Sequence, residues 1–313
     1  MEGPDATRVW RPEWPCAVRS TLAQQRRGAG DPTLRLAPPG ERGPHWRASR
    51  TPAGPVTLAI ESRGADGEVR AQAWGPGAAW ALDQLPALLG AADDWTGFEP
   101  RHPVVVEALR RHPHVRIGRT GRPLEALVPT IIEQKVTGAE AFAGFRALVR
   151  KYGDPAPGPG AALGLRVQPS AEVLVGVPSW AWLGLHIDPA RSRAVITAAR
   201  RADALERIAA EEGAAEALDR ALRSLPGLGI WTSAEVRQRA LGDPDAVPFG
   251  DFHVAKDVGW ALTGEETDDV GMAALLEPWR PHRGRVLLLL GAAGLRRPRR
   301  GHRASLRGHL PQV

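Results

Sequence analysis

The stretch LRSLPGLGIWTSAEVRQRALGDPDAVPFGDFHVA, running from Leu222 to Ala255, carries the decisive signals of this chain. A helix ends at its start, breaks at Pro226-Gly227-Leu228-Gly229, and a second helix begins near Ile230 and runs to about Leu241, giving a helix, a four-residue hairpin and a helix over 216–241. Pro226 cannot extend the first helix, and the two glycines permit positive φ and leave no Cβ between the backbone and an approaching group. The free amides of the second helix's first turn then point outward at the positive end of its dipole, a ready site for one anion such as a phosphate. Taken alone, a PGxG turn also fits an ordinary αα-hairpin without a ligand. Some twenty residues further on, Asp251 follows Pro248 and Gly250 and precedes an apolar helix start. That is a good N-cap position, and a cap oxygen at a helix end can also face a cleft.

LPGLGIWTS followed by VPFGDFHVA resembles the helix-hairpin-helix DNA glycosylase superfamily, in which the hairpin holds DNA and the later aspartate lies in the active site. Within it the chain looks most similar to the alkylation-repair branch, 3-methyladenine DNA glycosylase II. Two further segments carry that likeness, PLEALVPTIIEQKVTGAEAFAGFRALVRKYG at 123–153 and PWRPHRGRVLLLL at 278–290. The resemblance covers about 123–295 well and the N-terminal part loosely. It implies a mainly α fold with an N-terminal α+β domain and two helical subdomains flanking an active-site cleft. Its implied partner is double-stranded DNA with damaged bases, and the chain is expected to act as a monomer.

By this resemblance Asp251 is the catalytic residue. Cleaving an N-glycosidic bond develops positive charge on the sugar, so an ionised carboxylate stabilises that charge and orients or deprotonates the water. An alkylated base is already cationic and leaves without a strong general acid. Trp231 falls where bifunctional members carry a Schiff-base lysine, which implies a monofunctional hydrolase with Trp231 stacking on the flipped base; a core tryptophan is the plainer alternative. Glu235 and Gly291 depart from the family's aromatic base pocket. Gln134 and Lys135 occupy the place of the side chain that wedges into the minor groove, with a solvated helix end as the alternative. Gly227, Leu228, Gly229, Thr232 and His253 are the other expected DNA contacts, and Lys256 stands beside them. The resemblance also implies a monovalent cation, Na+ or K+, at the carbonyls of Leu225, Leu228 and Ile230.

Composition narrows the rest. Cys16 is the single cysteine, which excludes a disulfide framework and an iron-sulfur cluster, and no HxxxH or HExxH pattern implies a catalytic metal. No leader-like or membrane-spanning run is read in the sequence, since its most apolar run, Val286 to Leu295, is interrupted by Gly291 and Gly294; a cytoplasmic, nucleoid-associated protein is expected. The formal charge of +6 resides in the tail: 296–313 hold six arginines and no acid, and the remaining 35 basic residues balance 35 Asp and Glu. DNA binding must then rest on a local surface, with the tail as a non-specific tether or a mere overhang.

Three parts are expected. Residues 1–100 form an α+β domain, irregular to about 50 with short strands at RVW and TLRLA, then a β-hairpin of VTLAIES (56–62) and EVRAQAWG (68–75) about an Asp-Gly turn. The tryptophans in this part read as core anchors. Residues 101–295 form the helical glycosylase domain, with DPAPGPGAALG as a loop and a long amphipathic helix from Pro123 to about Gly138. Residues 296–313 are a basic disordered tail.

Overall fold

The computed structural model describes residues 3–63 and 67–298. Asp66 of the expected Asp-Gly turn and most of the expected tail, 299–313, lie outside the described residues. Strands β1 (Ala6–Trp10), β2 (Leu34–Arg35), β3 (His45–Thr51), β4 (Gly54–Arg63) and β5 (Glu68–Trp74) form one antiparallel sheet in the order β1-β5-β4-β3-β2. The alternation of Val56, Leu58 and Ile60 on β4 and of Val69, Ala71 and Ala73 on β5 turns one face inward. Helices α1 (Val18–Ala23), α2 (Ala78–Asp83) and α3 (Leu85–Leu88) cover that face with Val18, Leu22, Leu82 and Leu85.

Residues 3–50, expected to be irregular, hold α1 and most of β3 besides the two short strands. The sequence HWRASRT hides β3 because its buried positions are polar: Arg47 and Ser49 both bond Glu125, at 2.7 Å each, instead of packing as apolar residues. The Pro/Gly-rich segment after residue 153 is also more than a loop. Strands β6 (Asp154–Pro155) and β7 (Arg166–Val167) pair around a short helix α7 (Pro159–Ala162), and Ala156, Leu165 and Val167 pack on Ala48 of β3.

From residue 103 the chain is helical and divides between two cores. Helix α4 (Pro103–Arg111) belongs to the C-terminal core together with α14 (Val254–Thr263), α15 (Asp269–Leu276) and α16 (Arg283–Ala292), around Val105, Leu262, Leu276, Val286 and Leu289. The other core is built on α5 (Pro123–Ile132) and α6 (Gly138–Tyr152), with α8 (Ala171–Gly176), α9 (Ser179–Leu183), α10 (Pro189–Ala199), α11 (Ala202–Ala209), α12 (Ala215–Arg223) and α13 (Ile230–Leu241). The long helix expected from Pro123 ends six residues early and is not amphipathic. Nine of the ten residues of α5 are buried, as befits a central helix. It stops at Ile132, Lys135 takes φ +56°, and Thr137 with Glu140 forms a capping box that restarts the chain as α6.

This connectivity places the site. The chain gives α4 to the C-terminal core, builds the whole α5–α13 core, and returns through residues 242–253. That return segment must pass between the two helical bodies, and Asp251 is on it.

Candidate active site

The α12–α13 hairpin turns through Gly227 at φ +85°, a left-handed conformation that favours glycine, while Gly229 is extended and serves as the N-cap of α13. A Cβ on Gly229 would meet nothing within 4 Å, so this side of the hairpin is open to a large ligand. The turn is braced from the α5–α6 connection: Gln134 Nε2 donates to Gly227 O at 3.0 Å and to Thr232 Oγ1 at 2.9 Å. Thr232 is buried by this arrangement, whereas the neighbouring Lys135 is exposed on its left-handed turn.

The return segment is fixed by acids that drew no attention in the sequence. Asp243 pairs with Arg237 of α13. Asp245 takes Arg283 Nη2 at 2.6 Å and Nε at 2.9 Å, tying the segment to α16. Gly250 N donates to Asp269 Oδ2 at 2.7 Å at the start of α15. On α16 itself, fully buried Arg285 bonds Asp93 at 2.7 and 2.9 Å, and its guanidinium lies 4.2 Å from the Trp95 ring. The available signal was the alternation Asp243-Pro244-Asp245 directly after a helix stop at Gly242.

These anchors hold Asp251 against α13. Its Oδ1 accepts the backbone N–H of His253 at 2.7 Å and of Val254 at 3.0 Å, at the start of α14. Its Oδ2 accepts Trp231 Nε1–H at 3.2 Å. The N-cap residue of α14 is His253, two positions beyond the expected Asp251, so Asp251 bonds the amides at the start of the helix from outside it, and its second oxygen is steered by the hairpin helix. Trp231 is half-buried, with its polar edge committed to the aspartate, so orienting the carboxylate is a role the sequence did not suggest.

Asp251 lines a cleft of about 720 Å³ together with His253 and Asp257 from the start of α14, Glu235 and Arg239 from α13, and Gly291 from α16. A volume of this size falls within the range of ligand sites. The N-terminal part adds a wall that sequence reading missed: Arg19, Ser20 and Ala23 of α1 and its C-cap Gln24 line the same cleft, with Gln24 Nε2 donating to Arg116 O at 2.7 Å. Next to Asp251 in the chain, Phe252 is 72% exposed, its ring edge-on to His253, and Lys256 Nζ lies 4.5 Å from the ring centroid. His253 Nδ1 is buried without a partner among the described residues. Among the described residues no three His, Cys, Asp or Glu side chains gather as metal ligands, and no helix is long and apolar enough to cross a membrane.

No protein-family model matches the chain. A curated relative, the probable bifunctional transcriptional activator/DNA repair enzyme AlkA of Mycobacterium tuberculosis, is 31% identical over 174 residues. That match takes in 54% of this chain and 34% of the relative, so the chain spans about a third of the length of the longer protein it matches. The 3-methyladenine DNA glycosylase of Archaeoglobus fulgidus superposes with a TM-score of 0.68 at 16% identity, over 92% of this chain and 98% of that one. The 8-oxoguanine glycosylase/lyase of Clostridium acetobutylicum, solved with double-stranded DNA containing cytosine opposite 8-oxoguanine, gives 0.70 at 12% identity over 94% and 96%. The fold is that of the helix-hairpin-helix DNA glycosylases, mainly α with an N-terminal antiparallel sheet. Within that fold, Asp251 of this chain is held between the backbone amides at the start of α14 and the indole N–H of Trp231 on the hairpin helix.

Proposed function

We propose that the chain is a monofunctional DNA glycosylase of base-excision repair, which extrudes an alkylated purine from duplex DNA and hydrolyses its N-glycosidic bond. The observation that carries this is the carboxylate of Asp251, held on both oxygens, in a cleft of about 720 Å³ next to the glycine hairpin. The hairpin amides grip a phosphate of the lesion strand, and the extruded base enters the cleft. As the C1′–N bond breaks, its electron pair leaves with the base and positive charge grows on the sugar. Asp251 stabilises that charge, and the attacking water gives its oxygen to C1′ and its proton to the carboxylate. The products are a free base and an abasic site.

Absence of strand cleavage follows from Trp231. The indole N–H is a hydrogen-bond donor only, and no lysine stands at this place to form a Schiff base. Trp231 in this reading both steers Asp251 and offers its ring to the base. Lys135, next to the residue that braces the hairpin, is proposed to enter the minor groove or meet a phosphate beside the vacated position. A monovalent cation at the carbonyls of Leu225, Leu228 and Ile230 belongs to the same proposal; Leu225 O already accepts from Leu228 N at 3.1 Å and keeps one lone pair. A monomer acting on chromosomal DNA is the proposed state.

The test is release of free base from methylated duplex DNA, with a borohydride trap run in parallel. Base release without a covalent adduct fits the proposal. A trapped adduct overturns the monofunctional assignment, and no base release together with retained DNA affinity favours a protein that only grips DNA.

A further inference from the structure

Glu235 follows Trp231 by one helical turn on α13, and Arg239 follows Glu235 by one more, so the three share a face of that helix. Glu235 Oε2 accepts from Arg239 Nη1 at 2.7 Å, and both side chains are largely buried, at 16% and 18% exposure. Both also line the cleft that holds Asp251. A half-desolvated ion pair is a poor stabilising device, because removing two charges from water costs about as much as their attraction returns. This one is not saturated either. Glu235 Oε1 has no hydrogen-bond partner among the described residues, and Arg239 Nε is buried without one.

Arg239 Nη1 is spent on Glu235 Oε2 and on Glu235 O at 3.1 Å, so the pair presents Oε1, the second lone pair of Oε2 and the Nη2 group, uncommitted among the described residues: a row of two acceptors and a donor. The Watson–Crick edge of a guanine offers the complementary row: N2–H and N1–H donate, and O6 accepts. An adenine edge offers one N–H donor at N6 and an acceptor at N1, which would face the carboxylate with no proton between them. We infer that Glu235 and Arg239 read the edge of an extruded guanine-derived base, so that N7-alkylguanines are preferred over N3-alkyladenines. Alkylation at N7 leaves a cationic ring whose N1–H is a stronger donor, which adds to its pairing with a carboxylate. The inference rests on the glycosylase reading and narrows its substrate.

The test uses the full chain and duplex DNA treated with a methylating agent, so that both lesions are present and released bases are separated by chromatography. Glu235→Gln keeps the shape and the bond to Arg239 but places an NH₂ against the guanine N1–H, while that NH₂ can donate to adenine N1. Release of 7-methylguanine should fall by about ten-fold or more, with 3-methyladenine release unchanged or raised. Glu235→Asp, which keeps the carboxylate, should retain the guanine preference at a lower rate. If both bases fall in parallel in Glu235→Gln, or neither changes, base reading by Glu235 is overturned. If the wild type releases no methylated base at all, the glycosylase reading fails, and the inference with it.

Discussion

Replacing Trp231 by Phe isolates the contact that joins the hairpin to the carboxylate. The side chain stays aromatic, though its single ring is smaller than the indole, and the one N–H that reaches Asp251 Oδ2 is removed. The two backbone amides on Oδ1 remain, at 2.7 and 3.0 Å, so Asp251 keeps its place at the helix start but its second oxygen can swing about that anchor. A hydrogen bond to an ionised group is worth about 1.5–3 kcal/mol, and a length of 3.2 Å puts this one at the weak end, about 1.5 kcal/mol. If the bond orients the carboxylate in the transition state, that energy corresponds to a loss of about ten-fold in rate. The assay is single-turnover base release, with affinity for the same duplex measured by fluorescence anisotropy and expected to stay within about two-fold. Any further loss in Trp231→Ala beyond that in Trp231→Phe reports contact between the ring and the base. Wild-type turnover in Trp231→Phe would refute the orienting role, and an equal loss of DNA affinity would move Trp231 from the chemistry to the grip.

Other perturbations separate the neighbouring roles. Gly229→Leu adds a side chain where nothing lies within 4 Å, so it should cost at most about 1 kcal/mol of stability yet weaken DNA binding about ten-fold; Gly227→Ala should cost about 1 kcal/mol in melting experiments through its φ of +85°. Lys135→Gly relieves a left-handed lysine at φ +56° but frees the unfolded chain, leaving stability within about 1 kcal/mol. If Lys135 neutralises a phosphate, the slope of log affinity against log salt should fall by about 0.9; an unchanged slope would remove it from the DNA contacts. Far from the cleft, burial pushes the Glu206 carboxyl up to about 7 against the opposing pull of Arg122 at 2.9 Å. Between its ordinary value of 4.5 and about 7 the folded protein therefore holds a proton that the unfolded chain lacks. That contribution to stability is fully present below pH 4.5 and is lost as pH rises through about 7. Glu206→Gln should flatten the loss in urea titrations, and an undiminished slope would contradict it.

What could be seen in the sequence was local and strongly punctuated. Pro226, Gly227 and Gly229 mark the hairpin, Pro103 and Pro123 mark helix starts, and α4 runs over Pro103–Arg111 as its pattern predicts. The β4–β5 strands followed from period-two alternation. Features decided by tertiary pairing stayed hidden. Strand β3 buries Arg47 and Ser49 because Glu125, nearly eighty residues away, accepts from both. The wall that α1 gives to the cleft, and the Asp245 anchor to Arg283, likewise depend on partners remote in the chain. At the site, the resemblance supplied Asp251 and Trp231 as residues, but the bond between them, and hence the orienting role of the indole, is a matter of geometry.

The most direct measurement compares wild type with Asp251→Asn on one methylated duplex, recording base release and DNA affinity together. Asparagine keeps an oxygen for the amides of His253 and Val254 but removes the charge. Base release that falls by at least about a hundred-fold with affinity unchanged is the outcome required by a catalytic carboxylate. Release at the wild-type rate would leave Asp251 as no more than an anchor at the start of α14 and would contradict the account.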